Sequence, residues 1–181
     1  MSRLNRLVNS YKRHISIPWK EDSAAAQRVI FCVYNENEEL RLRASIDEFE
    51  VATKETGNNW RSIDITYSFS EWLSSQRYAE RYFEKPELIS TLIPKLTQYI
   101  TNKVENDVVD IDNKTVVAIT GVASLFGFIK VKDLVDKIAP LIPGRLVIFF
   151  PGSYEDNNYR LLDGYDGWNY LAVPITADNE I

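Results

Sequence analysis

The sequence predicts an α/β fold: a mostly parallel central sheet with helices on both faces and an antiparallel hairpin at the C-terminal edge. Three observations carry this. The runs 29–34 (VIFCVY), 115–120 (TVVAIT) and 145–150 (RLVIFF) are nearly continuous in β-branched and aromatic residues, so as strands they have no wet face. Stretches with helical spacing of apolar residues stand between them. The chain of 181 residues, 45% hydrophobic and 26% charged, is long enough to close one core without metal or disulfide staples. Together these describe a three-layer sandwich of Rossmann-like or P-loop-like type.

The elements follow in order. Leu4, Leu7, Val8 and Tyr11 fall at i, i+3, i+4 and i+7, which predicts a helix docked by one stripe. The same segment, 1–20, carries Arg3, Arg6, Lys12, Arg13 and Lys20 and no acid, while the remaining chain has 16 basic against 26 acidic residues, within a net charge of -5. Residues 1–20 are therefore set apart as a basic helix or arm, with 21–181 as a single α/β domain. Three readings stay open for the arm: a solvated basic face, a nucleic-acid or partner-binding arm, and an organelle transit segment.

Val29–Tyr34 is the first buried strand. Glu38–Thr56 reads as a helix on Leu42, Ile46 and Phe49, stopped at Gly57. Arg61–Thr66 reads as a second, less buried strand, and 67–85 as one or two short aromatic helices. Pro86 suits the first residue of a further helix through Leu88, Leu92, Leu96 and Tyr99, but Pro94 inside that stripe demands a kink or break near Ile93. After the strand 115–120, Gly121–Gly127 is a loop, Val131, Leu134, Val135 and Ile138 form a helical stripe, and Pro143-Gly144 ends it before strand 145–150. Two strands around the Gly164–Gly167 turn, Tyr159–Asp163 and Trp168–Ile175, are expected to form the edge hairpin, with the last five residues frayed.

In open parallel sheets ligands bind beyond the carboxyl ends of the strands. Asn35, Glu36, Gly121, Ser124, Gly127 and Gly152 are the residues expected at such a crevice. The chemistry available there is thin. Five residues separate Gly121 from Gly127 and Phe128 follows, so no Walker motif with its lysine and hydroxyl exists, and no GxGxxG is present. Ser124 lacks the G-x-S-x-G elbow, and the single His14 sits in the first helix. The single Cys32 lies mid-strand, where burial leaves a thiol inert and no internal disulfide is possible. Glu155, Asp156, Asp163 and Asp166 have oxygen-ligand chemistry without D-x-D-x-D-G spacing, so turn chemistry is the preferred reading. The expectation is no catalytic residue, no metal and no cofactor.

The tail is rich in aromatics beside amides. Tyr154, Asn157, Asn158, Tyr159 and Tyr165 are the candidate partner-binding residues, because Tyr joins apolar area to a polar handle. No apolar run reaches the ~18 residues of a membrane span and no secretory h-region precedes the domain, so a soluble cytoplasmic protein is expected.

The tail GRLVIFFPGSYEDNNYRLLDGYDGWNYLAVPI (144–175) is similar to the closing segment of the BrxB family, a component of bacterial BREX phage-exclusion systems. TVVAITGVASLFGFIKVKDLV (115–135) and RVIFCVYNENEELRLRASIDEFEVATKETGNNWRSIDIT (28–66) agree with it, so the resemblance spans nearly the whole chain. It implies a role in phage defence beside an ATPase, a DNA methyltransferase and PglZ, a protein resembling alkaline phosphatases. The family supplies no catalytic motif to place on this chain. The implied function is a non-catalytic interaction subunit with PglZ as first partner and other BREX components as further ones. The alternatives are a nucleic-acid-binding adaptor of the same system and a cryptic nucleotide-binding or enzymatic α/β domain.

Overall fold

The computed structural model describes residues 2–165 and 167–178. Among the described residues, strands β1 (Val29–Tyr34), β2 (Asn59–Asp64), β3 (Thr115–Thr120) and β4 (Arg145–Glu155) alternate with helices α1 (Arg3–Ile15), α2 (Glu39–Ala44), α3 (Ile46–Glu55), α4 (Ser68–Ser74), α5 (Ala79–Glu84), α6 (Ile93–Asp107) and α7 (Val131–Ile138), and β5 (Asn158–Leu161) and β6 (Val173–Ile175) follow β4 directly. The sheet order is β2-β3-β4-β1-β6, and each of these neighbouring pairs is parallel. The three apolar runs thus occupy the interior, as their two-sided hydrophobicity requires.

Side chains alternate across the sheet with a period of two. Val29, Phe31 and Val33 of β1, Val117 and Ile119 of β3, and Leu146, Ile148 and Phe150 of β4 enter one core with α4, α6 and α7. Ile30, Cys32, Tyr34, Val116, Ala118, Val147 and Phe149 enter the other with α1, α2 and α3. The path explains the division. The chain crosses from β1 outward to β2, then returns through β3 to β4, and right-handed crossovers running in opposite directions lay their helices on opposite faces.

Helix α1 belongs to the second core. Ser2 caps it by accepting the Asn5 amide at 3.1 Å, and Leu4, Leu7, Val8, Tyr11 and Ile15 are buried. Arg3 and Arg6 pair with Asp178, and Lys12 with Glu55. Much of the basic character of this segment therefore faces acids of the same domain.

Several elements sit differently from the sequence expectation. The helix expected over 38–56 is broken at Ser45 into α2 and α3. The break expected near Ile93 is present: a 3₁₀ stretch covers Pro86–Leu92 and α6 begins at Ile93, so Pro94 falls in its first turn, where a missing N–H costs nothing. The strand expected at 61–66 is 59–64. The antiparallel hairpin is present, but its arms are the extension of β4 and β5, turning at Asp156-Asn157 rather than at Gly164–Gly167. Asp156 (φ 49°) and Asn157 (φ 62°) are both left-handed, the geometry of the two-residue turn that matches strand twist. After it, among the described residues, Trp168 makes an isolated bridge to Tyr159 before β6 joins β1 in parallel, so Trp168–Ile175 is not an antiparallel arm. Ala177, expected to fray, is buried, while 179–181 lie outside the described residues.

Candidate functional site

At the carboxyl ends of the strands the polar groups are bound to one another. Arg43 of α2 donates to Glu39 at 2.7 Å, to Asp64 at 3.2 Å and to the Thr66 hydroxyl at 2.8 Å, and the Tyr34 hydroxyl donates to Glu39. Asp64 also accepts the Thr66 amide at 2.9 Å. Burial works to raise the Asp64 pKa, but the Thr66 hydroxyl and amide, with Arg43, outweigh it and hold the carboxyl below its ordinary value. This network fastens the loops after β1 and β2.

The six crevice residues belong to the segment after β1 (Asn35, Glu36), the loop after β3 (Gly121, Ser124, Gly127) and the extension of β4 (Gly152). Gly121 (φ 87°) lies so close to this network that a Cβ there would stand 2.3 Å from Thr66 Oγ1 and 2.5 Å from its amide nitrogen. Its role is a left-handed turn at close approach. Ser124 donates to the Gly121 carbonyl at 2.7 Å, closing a 3₁₀ turn. Asn35 accepts the Asn37 amide at 2.9 Å and, with Glu36, stands exposed at the start of the next helical turn. Gly152 belongs to the hairpin, where a Cβ would reach 2.0 Å from the Arg160 carbonyl, so glycine permits β5 to lie on β4.

Gly127 lines a groove of about 300 Å³ with Phe126, Phe128, Ile129, Lys130, Val131, Leu161, Gly164 and Trp168. The loop after β3 forms one wall and the segment after β5 the other. Phe128 is stacked on Phe69 of α4 with centroids 4.4 Å apart, and both Phe126 and Phe128 are exposed. Beneath the groove, Phe31, Phe150, Tyr159, Trp168 and Tyr170 form an edge-to-face and tilted cluster with centroids 4.6 to 6.3 Å apart. The Tyr170 hydroxyl donates to Asp136 of α7 at 2.9 Å and fastens the tail.

The candidate partner-binding residues divide accordingly. Tyr165 is fully exposed beside the groove residue Gly164. Tyr154 is half-buried, its hydroxyl donating to Asn157 at 3.1 Å and its ring 4.6 Å from Tyr159, and Asn157 and Asn158 are exposed at the hairpin turn. Tyr159 is the correction: it is completely buried, with its hydroxyl on the Ala172 carbonyl at 3.1 Å, because its face of β5 turns onto Phe31 and Phe150. It supports the surface from below. Exposed Phe126 and Phe128, with half-buried Leu161 and Trp168, line the groove, a role that local sequence does not signal because apolar residues there look like core until the chain path is known.

Among the described residues no three His, Cys, Asp or Glu side chains stand close enough to hold a metal ion, and Asp166 lies outside those residues. Asp156 serves the hairpin turn. Cys32 is completely buried, and that burial pushes its thiol pKa far up. No helix among the described residues is long and apolar enough to cross a membrane.

Comparison with known proteins adds a family. The protein-family model described as "BREX protein BrxB" matches residues 63–174. No curated protein and no solved structure matches the chain. The matched stretch runs from the end of β2 into β6 and contains both walls of the aromatic groove. As it covers more than half of the chain, the protein belongs to the BrxB family of BREX proteins.

Proposed function

We propose that this protein is a non-catalytic interaction subunit of a BREX anti-phage defence system, that its partner is PglZ, and that the groove between the β3 loop and the hairpin receives it. The exposed rings around that groove are the observation that carries the reading. Phe126 and Phe128 stand on one wall, Trp168 lines the other and Tyr165 projects fully into solvent at its margin. Rigid aromatic anchors around a concavity concentrate binding energy in a few contacts. The carboxylates and hydroxyls nearby support the same view in a different way: Glu39, Asp64, Thr66 and Ser124 are engaged in holding loops.

The test is a titration of the purified full chain against purified PglZ. Tyr165→Ala and Phe126→Ala remove exposed rings and should leave the far-UV spectrum unchanged, while weakening the complex about tenfold or more when combined. Affinity undiminished in that double variant would place the interface elsewhere. Failure of the two intact proteins to associate at about tens of micromolar would sink the partner assignment.

A further inference from the structure

The opposite end of the sheet holds an arrangement that neither the fold nor the partner reading requires. Val29 of β1 pairs in register with Leu146 of β4, so Arg28, the last residue of the 3₁₀ turn before β1, and Arg145, the first residue of β4, stand one step before that pair at the same end of adjacent parallel strands. Like charges set across a strand pair repel, and burial followed by Arg28 works against the charge of Arg145. Neither arginine forms an ion pair among the described residues. Arg28 donates to the Ile142 carbonyl at 3.1 Å and, at 3.5 Å, to that of Ser23, while its Nε is buried without a partner. The Arg145 guanidinium lies over the Trp19 ring, 4.9 Å from its centroid.

Both arginines line a cavity of about 360 Å³ that is also lined by Lys20, Lys114, Trp19, Asn58 and Asn113, with Glu21 as its one acidic residue. Two helix carboxyl ends reach the same place, those of α1 at Ile15–Ser16 and α3 at Thr56. Their dipoles each supply roughly half a negative charge. Together with Glu21 they offset only part of four cations, so roughly two positive charges remain uncompensated. The size is at the small-molecule end of binding pockets, and paired guanidiniums suit the oxygen geometry of a phosphoryl group.

We propose that this cavity, at the amino ends of β1 and β4, binds a phosphate-bearing ligand through Arg28, Arg145 and Lys114. An anion seated beside the arginines offsets their mutual repulsion and gives acceptors to the Arg145 guanidinium, which lies over Trp19 and makes no ion pair among the described residues. The site is independent of the aromatic groove, which lies beyond the other ends of the strands.

The single histidine reports on occupancy. His14 is held below its ordinary pKa by burial and then by Arg145, so an anion seated on Arg145 relieves part of that field and moves the His14 titration upward. The experiment is calorimetric titration of the full chain with inorganic phosphate, ATP and a 5′-phosphorylated single-stranded oligonucleotide, with His14 followed by NMR. Saturable binding with an upward His14 shift is expected, and whichever of ATP and the oligonucleotide binds more tightly names the phosphate source. Arg145→Gln should weaken binding about tenfold or more and Lys114→Gln about threefold, with Lys95→Gln on the exposed face of α6 unchanged. Lys114 is exposed, so its variant carries the test even if Arg145→Gln fails to fold. Absence of binding at about 10 mM of each ligand, an unmoved His14, or equal affinity in Lys114→Gln and Lys95→Gln overturns the proposal.

Discussion

Whether residues 1–20 form an arm free to engage nucleic acid or a fixed part of the domain is decided by one buried contact. Tyr11 of α1 and Thr53 of α3 are both completely buried, with their hydroxyl oxygens 2.6 Å apart. The one hydroxyl proton of Thr53 goes to the Phe49 carbonyl at 2.9 Å, so the proton in the shared contact comes from Tyr11. The two ends of the bond are therefore unequal. Tyr11→Phe leaves Thr53 with its carbonyl partner and should cost about 0.5–1.5 kcal/mol. Thr53→Val strands the Tyr11 hydroxyl in an apolar core and should cost about 1–3 kcal/mol. Combining them removes the stranded donor, so Tyr11→Phe should partly rescue Thr53→Val. Leu7→Ala, at a site 1% exposed, supplies the scale of packing alone at about 3 kcal/mol. In a chain of this length each kcal/mol corresponds to about 2–4 °C of Tm, so that variant should melt about 6–12 °C lower. Urea and thermal unfolding followed by circular dichroism would measure all four. The reasoning is refuted if Thr53→Val is as stable as wild type, or if Tyr11→Phe adds to its cost rather than relieving it, because either result means that α1 does not bring Tyr11 into this core. Deleting 1–20 is a coarser test, since it removes Leu4, Leu7, Val8, Tyr11 and Ile15 at once and uncovers the core surface beneath them.

Gly121→Ala combines a left-handed backbone with overlap on Thr66, and should lower stability by about 1–3 kcal/mol while loosening the loop after β3, measured by denaturant unfolding and amide exchange at Thr66. A neutral result would mean that the contact between the β2 and β3 loops is absent. Cys32 should resist alkylation at about pH 8 in the native protein and react at the rate of global unfolding as urea rises, because burial disfavours its thiolate. Rapid labelling without denaturant would show that β1 is not the interior strand described.

The strands β1, β3 and β4 were legible from sequence because burial on two faces writes itself locally as an unbroken apolar run, and α1 and α7 because one-sided burial writes itself as a stripe at 3.6-residue spacing. The family was legible because its tail motifs, FFPG and DGWNYLA, are contiguous stretches of the sequence itself. Partner choice was not legible. Tyr154 and Tyr159 oppose each other across β4 and β5 on one face of the hairpin, yet Tyr159 is completely buried against Phe31 and Phe150 while Tyr154 is only half-buried, a difference that the fold around the hairpin makes and local composition does not record. That β6 joins β1 in parallel depends on a tail passing over β4, which no local pattern records. Arg28 and Arg145 stand 117 positions apart in a sequence that gives no sign of their pairing. Only the parallel register of β1 and β4 sets two like charges side by side, and only the tertiary structure surrounds them with Trp19, Lys20 and Lys114. Local chemistry determined which segments would be buried; the closing of the sheet decided which distant groups must face one another.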